Sequence, residues 1–120
     1  MNKELQLRLK DNLVVTSLGG EGLVLEMDTR KTSWINETAA FFLRLLQTNC
    51  EGIPLSSAVK LLQQQYLINS RNKAEKDLDS FVSRLEQFDL VSLRPVSNGI
   101  KPKNLNSGIK RPYIRPIIKE

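Results

Sequence analysis

The stretch LVLEMDTRKTSWINETAAFFLRLLQ, Leu23 to Gln47, constrains this chain more than any other part of it. Leu23, Leu25 and Met27 alternate with Val24, Glu26 and Asp28, the period of a strand with one buried face. Asp28-Thr29-Arg30-Lys31 carries turn chemistry and charge. Thr32-Ser33-Trp34-Ile35 is β-branched and aromatic, which predicts a second strand. Asn36 then stands where a helix cap belongs, its side-chain oxygen available to an orphan backbone N–H. Glu37 suits the positive end of the helix dipole, and Ala39 to Leu46 form a strongly apolar helix.

The flanking segments read as small elements of the same fold. Leu5, Leu7 and Leu9 alternate with polar residues, Asp11-Asn12 can turn the chain, and Leu13 to Leu18 is a further strand. Gly19-Gly20-Glu21-Gly22 reads as a turn, since glycine tolerates positive φ. Its spacing fits neither common phosphate-loop fingerprint. After a loop from Gln47 to Pro54, Ser56 or Ser57 caps a second helix reaching about Tyr66, with Leu55, Val59, Leu62 and Tyr66 on one face. A third helix spans about Lys73 to Phe88. Leu78, Phe81, Val82 and Leu85 form its apolar stripe, with Lys73, Asp77, Ser80 and Arg84 beside or opposite it. From Leu93 the residues Pro95, Asn98, Gly99, Pro102, Asn104, Asn106, Ser107 and Gly108 break any periodicity, which predicts a linker and tail.

Composition narrows the function classes. A chain of 120 residues with 40% hydrophobic residues suits one domain with a modest core. There is one cysteine, Cys50, and no histidine, so neither an internal disulfide nor a Cys/His metal site is expected. Without histidine no Ser/His/Asp or Cys/His set exists, and Asp77 and Asp79 diverge on a helix. The expectation is a chain that is not an enzyme and uses no cofactor or metal. No signal-peptide pattern and no apolar run of about 20 residues occurs, so a cytoplasmic protein with no membrane partner is expected. The net charge of +5 is unevenly placed. Met1 to Ser92 holds eleven Lys and Arg against twelve Asp and Glu, and Leu93 to Glu120 holds seven against one. A DNA-binding domain carries its positive charge on the folded face, so no specific nucleic-acid partner is expected.

A hairpin ending in an aromatic, then Asn36-Glu37-x-Ala39 and an apolar helix, resembles the PqqD-like family over roughly residues 9 to 92. The third helix fits the family's pattern of Asp, aliphatic, Phe, aliphatic and Leu at Asp77, Leu78, Phe81, Val82 and Leu85. Where relatives often close that helix with glycine, this chain has Asp89. The resemblance implies an α+β, winged-helix-like domain over residues 1–92, a small antiparallel sheet of three to four strands followed by three helices. Residues 93–120 would be a basic linker and tail. It also implies a noncatalytic recognition element that binds the leader of a ribosomally made precursor peptide and presents it to a maturation enzyme. That enzyme would be a radical enzyme using an iron–sulfur cluster, or a leader protease with a cyclase.

An exposed sheet edge is a template for another strand, and pockets beside it can select sequence. Carried over by position, the resemblance to the PqqD-like family implies that Lys31, Thr32, Ser33, Trp34 and Ile35 supply the edge. It likewise implies that Phe81 lines the groove, with Ser80 and Arg84 at its margin and Asp77 near one end. Trp34 also fits a hairpin-packing aromatic, and Arg84 a solvated helix charge. In the tail, Tyr113, Pro116 and Ile118 spell Tyr-x-x-Pro-x-Ile, similar to the recognition motif of lasso-peptide leaders. This suggests a tail that folds back on its own domain, exchanges with a neighbouring copy, or is a leader joined to its reader through a linker, against the plainer reading of a disordered basic extension. A winged-helix DNA-binding protein and an enzyme adaptor that never binds a leader are the alternative functions.

Overall fold

A computed structural model describes residues 5–18, 20–96 and 110–119. Four strands come first: β1 (Leu5–Leu9), β2 (Leu13–Leu18), β3 (Glu21–Glu26) and β4 (Thr32–Asn36). They are followed by α1 (Glu37–Thr48), β5 (Ile53–Pro54), α2 (Leu55–Gln65), β6 (Tyr66–Leu67), α3 (Arg71–Gln87) and β7 (Val91–Pro95). The last segment adds β8 (Arg111–Pro112) and β9 (Ile118–Lys119). The strands form three sheets, ordered β5-β1-β7, β2-β3-β4-β9 and β6-β8. This is the expected α+β class, with antiparallel sheets of three and four strands and three helices. No helix among the described residues is long and apolar enough to cross a membrane.

β4 runs into α1 without a linker. Asn36 ends the strand in extended conformation, and its side chain accepts the Ala39 N–H at 3.0 Å, so one residue stops a strand and starts a helix. The helix then buries Ala39, Ala40, Phe42, Leu43, Leu45 and Leu46. Leu7, Ile35, Ile53, Leu62, Leu78 and Leu85, all fully buried, complete the core from the other elements.

β3 faces the opposite way from its expected orientation. Val24 is 1% exposed, whereas Leu23 is 40% and Met27 54% exposed. The cause is the register with β4, which sets Gly22 opposite Ile35 and Val24 opposite Ser33. A Cβ at Gly22 would lie 2.5 Å from the Thr16 carbonyl oxygen and 3.0 Å from Ile35 Cγ1. Glycine therefore lets buried Ile35 sit over β3, and Val24 follows it inward by the period of two. Glu21 and Gly22 belong to β3, where Glu21 pairs with Leu18, and not to the turn.

Helix ends also differ from expectation. Neither Ser56 nor Ser57 caps α2; Pro54 holds the cap position with φ −59° and no side-chain cap bond. Its fixed φ and missing N–H suit that entry. Ser70 caps α3, accepting from Lys73 N at 3.4 Å, which starts the helix two residues before Lys73. At its other end Asp89 adopts φ 60°. Asp89 N–H donates to Glu86 O and Leu90 N–H to Leu85 O, both at 3.0 Å, the paired bonds of a Schellman motif. Asp89 thus occupies the left-handed position that glycine usually takes. The chain reverses there, and β7 pairs along all of β1, from Leu9 opposite Val91 to Leu5 opposite Pro95. Leu93, where composition marks the start of the linker, lies in this strand opposite fully buried Leu7.

Candidate functional site

β4 would be the outer strand of its sheet but for one segment. Residues 115–119 of the last described segment lie between that edge and α3. β9 pairs antiparallel with β4, Lys119 opposite Trp34 and Ile118 opposite Ile35. The ladder is extended by Asn36, whose backbone N–H donates to Ile117 O at 3.3 Å. The same side chain clasps the segment. Its Nδ2 donates to Arg115 O at 2.8 Å, and its Oδ1 accepts from Ile117 N–H at 3.1 Å while still capping α1.

Three side chains of the segment enter the domain. Ile118 is 2% exposed and joins the core, and Pro116 is also buried. Tyr113 is half-buried, and its hydroxyl donates to Asp77 Oδ2 at 2.7 Å. Burial first, and then the Asp77 hydrogen bond and charge, raise its phenol well above its ordinary pKa. Its ring meets Tyr66 edge-on at 6.1 Å, and Tyr66 in turn meets Phe41 at 5.7 Å. Further upstream, β8 pairs in parallel with β6, and the Arg111 guanidinium donates to the Glu37 carboxylate. At the other end Lys119 Nζ stands 5.8 Å from the Trp34 ring centroid.

Asp77, Ser80, Phe81 and Arg84 of α3 line a cavity of about 410 Å³ together with residues 115–119. Phe81, 2% exposed, also packs edge-on against Phe42 at 5.8 Å. The structure therefore brings these four side chains onto one wall, facing the segment that holds Tyr113, Pro116 and Ile118. Of the five edge residues, Trp34 and Ile35 are in the ladder. Ser33 is buried on the inner face, Thr32 is exposed, and Lys31 belongs to the turn before β4. Those three border a second cavity of about 320 Å³, whose far wall is Gln87, Phe88, Asp89 and Leu90 at the end of α3.

Some contacts were hidden from the sequence. Asn36 is recognisable as a cap, yet a cap uses only its oxygen, and the spare amide donor was the available clue. Glu37 and Arg111 lie 74 positions apart, so no local pattern joins them. Among the described residues there is no group of three or more His, Cys, Asp or Glu placed to hold a metal ion.

A family model described as Coenzyme PQQ synthesis protein D (PqqD) matches residues 21–91, from the start of β3 to the start of β7. The chain belongs to the PqqD family. That match covers β4, α1 and α3, the elements that wall the groove, and leaves the docked segment outside. Among solved structures, this PqqD-family chain is similar to TbiB1 in complex with the TbiA(beta) leader peptide. The TM-score is 0.61 at 19% identity, covering 71% of this chain and 94% of that one, a likeness of fold. No curated protein matches the sequence.

Proposed function

We propose that this PqqD-family protein is a noncatalytic recognition domain that binds a precursor leader peptide by adding it as a strand to β4. It would then present that peptide to a maturation enzyme. The observation that carries this reading is the occupancy of the groove. An extended peptide segment with an aromatic, a proline and an aliphatic anchor already lies between β4 and α3, held by backbone ladder bonds and side-chain pockets. These are the two components of recognition by strand addition. The structurally similar TbiB1 is a protein in complex with a leader peptide, which agrees with this reading.

The tail would act as a tethered stand-in for the leader. Thirteen residues, 97–109, join Val96 to Lys110. Fully extended, a linker of that length reaches roughly 45 Å, more than the 36 Å longest dimension of the molecule. Tethering raises the local concentration of a short segment to about millimolar. An incoming leader therefore competes with the tail. A leader continuing past the residue equivalent to Lys119 would run antiparallel toward Ser33, Thr32 and Lys31 and meet the second cavity. The same contacts made between two copies would give an exchanged dimer. The maturation partner, a radical enzyme or a protease with a cyclase, follows from the family resemblance.

The test uses the full chain carrying Tyr113→Ala and Pro116→Ala, which frees the groove. A fluorescent peptide covering Ser107 to Glu120 should bind it saturably by anisotropy, and more tightly than it binds the unaltered chain. A peptide with the same two replacements should bind far more weakly. Absence of binding, or equal binding of both peptides, would refute the groove as a peptide site.

A further inference from the structure

The Tyr-x-x-Pro-x-Ile anchors account for residues 113–118, but the docked segment makes contacts upstream of them. Arg111 and Pro112 lie beside Tyr66 and Leu67 in a short parallel ladder, on a sheet separate from the one β4 builds. The Arg111 guanidinium meets the Glu37 carboxylate, the first residue of α1. Tyr66 is nearly fully buried and touches Tyr113, so the upstream ladder and the tyrosine pocket share one residue. Asp77 accepts the hydroxyl of Tyr113. One carboxylate thus accepts the tyrosine hydroxyl, and another bonds the residue two positions before it.

We propose that β6 and Glu37 form a second, upstream subsite, which selects peptides carrying a basic residue two positions before the anchoring tyrosine. This rests on the groove being a peptide site, and it adds a requirement that the tyrosine, proline and aliphatic anchors do not contain. Two ladders at opposite ends of the peptide, parallel at β6 and antiparallel at β4, fix its register at both ends. The ligand class is then an extended segment of pattern basic-x-Tyr-x-x-Pro-x-aliphatic. Glu37 and Arg111 are both partly open to solvent, with side chains 43% and 59% exposed, so the pair tunes selectivity and does not dominate affinity.

The experiment is a double-mutant cycle on the full chain with Tyr113→Ala and Pro116→Ala, titrated with labelled peptides covering Ser107 to Glu120. Arg111→Ala in the peptide should weaken binding about two- to fivefold, as exposed ion pairs do. Glu37→Gln in the protein should weaken the unaltered peptide by a similar factor. The two losses should not add, because each removes the same contact. A Glu37→Lys protein should prefer an Arg111→Glu peptide over the Arg111→Ala one, which a merely structural role for Glu37 would not produce. Equal binding of the Arg111→Ala and unaltered peptides, or fully additive losses, would overturn the upstream subsite while leaving the groove intact. Failure of every peptide to bind would overturn the groove itself, and the subsite with it.

Discussion

Replacing Tyr113 by Phe in the full chain should make the protein bind an added peptide more tightly. The change deletes one hydroxyl and keeps the ring against Tyr66. The lost interaction is a 2.7 Å hydrogen bond to the Asp77 carboxylate, with both partners partly exposed. Hydrogen bonds to charged groups contribute about 1.5–3 kcal/mol, and partial solvent access reduces this one to about 1–2 kcal/mol. The tail's docking constant should therefore fall about five- to thirtyfold. A tethered competitor with docking constant K multiplies the apparent Kd of an outside ligand by 1 + K. While K is large, its fall passes directly into tighter binding of the outside peptide. Anisotropy of labelled Ser107–Glu120 on unaltered and Tyr113→Phe chains measures this. Tightening should stop once K falls below one, so adding Pro116→Ala should bring a smaller further gain than it does alone. An unchanged or weakened apparent affinity would show that the tail does not compete for the groove. Asp77→Asn provides the contrast, because it weakens the tail and the added peptide together.

Other consequences concern pH and the scaffold. The Tyr113 phenol is raised above its ordinary 10.0 when docked, so a released tail ionises first as pH climbs. Docking should hold below pH 10 and weaken by up to about tenfold per pH unit above it, tightening the binding of a peptide that carries Phe in place of its tyrosine. Gly22→Ala forces a Cβ against the Thr16 carbonyl and Ile35, and should cost about 2–3 kcal/mol in urea unfolding. Asp89→Gly relieves a left-handed residue but gives up the exposed Asp89–Lys10 ion pair, and should stabilise the fold by about 0.5–1 kcal/mol. A loss of stability in that variant would mean that the ion pair outweighs the backbone strain.

The elements were legible wherever local chemistry decides them. Asn36 declared the start of α1, and Leu78, Phe81, Val82 and Leu85 declared the buried side of α3. The orientation of β3 was not legible, because both of its faces carry aliphatic residues. Leu23 and Leu25 compete with Val24, and the choice is made by Ile35 closing over Gly22 from the next strand. The cap of α2 was missed for a related reason: Ser56 and Ser57 offer hydroxyls, but the preceding proline already sets the entry angle. For the candidate site, the motif Tyr113, Pro116 and Ile118 was readable as a pattern, whereas the roles of Asp77, Ser80, Phe81 and Arg84 came only from the family resemblance. The upstream pairing of Arg111 with Glu37 was not, since nothing local to either residue announces a partner so distant in the chain.

Amide hydrogen exchange at Trp34 to Asn36 reads out whether the outer edge of β4 receives a peptide strand. In the unaltered chain the Asn36 amide should be protected, because it donates to Ile117 O. In the Tyr113→Ala, Pro116→Ala chain that protection should fall, and an excess of the Ser107–Glu120 peptide should restore it. Unprotected Asn36 in the unaltered chain, or a bound peptide that leaves it exchanging freely, would contradict strand addition at β4.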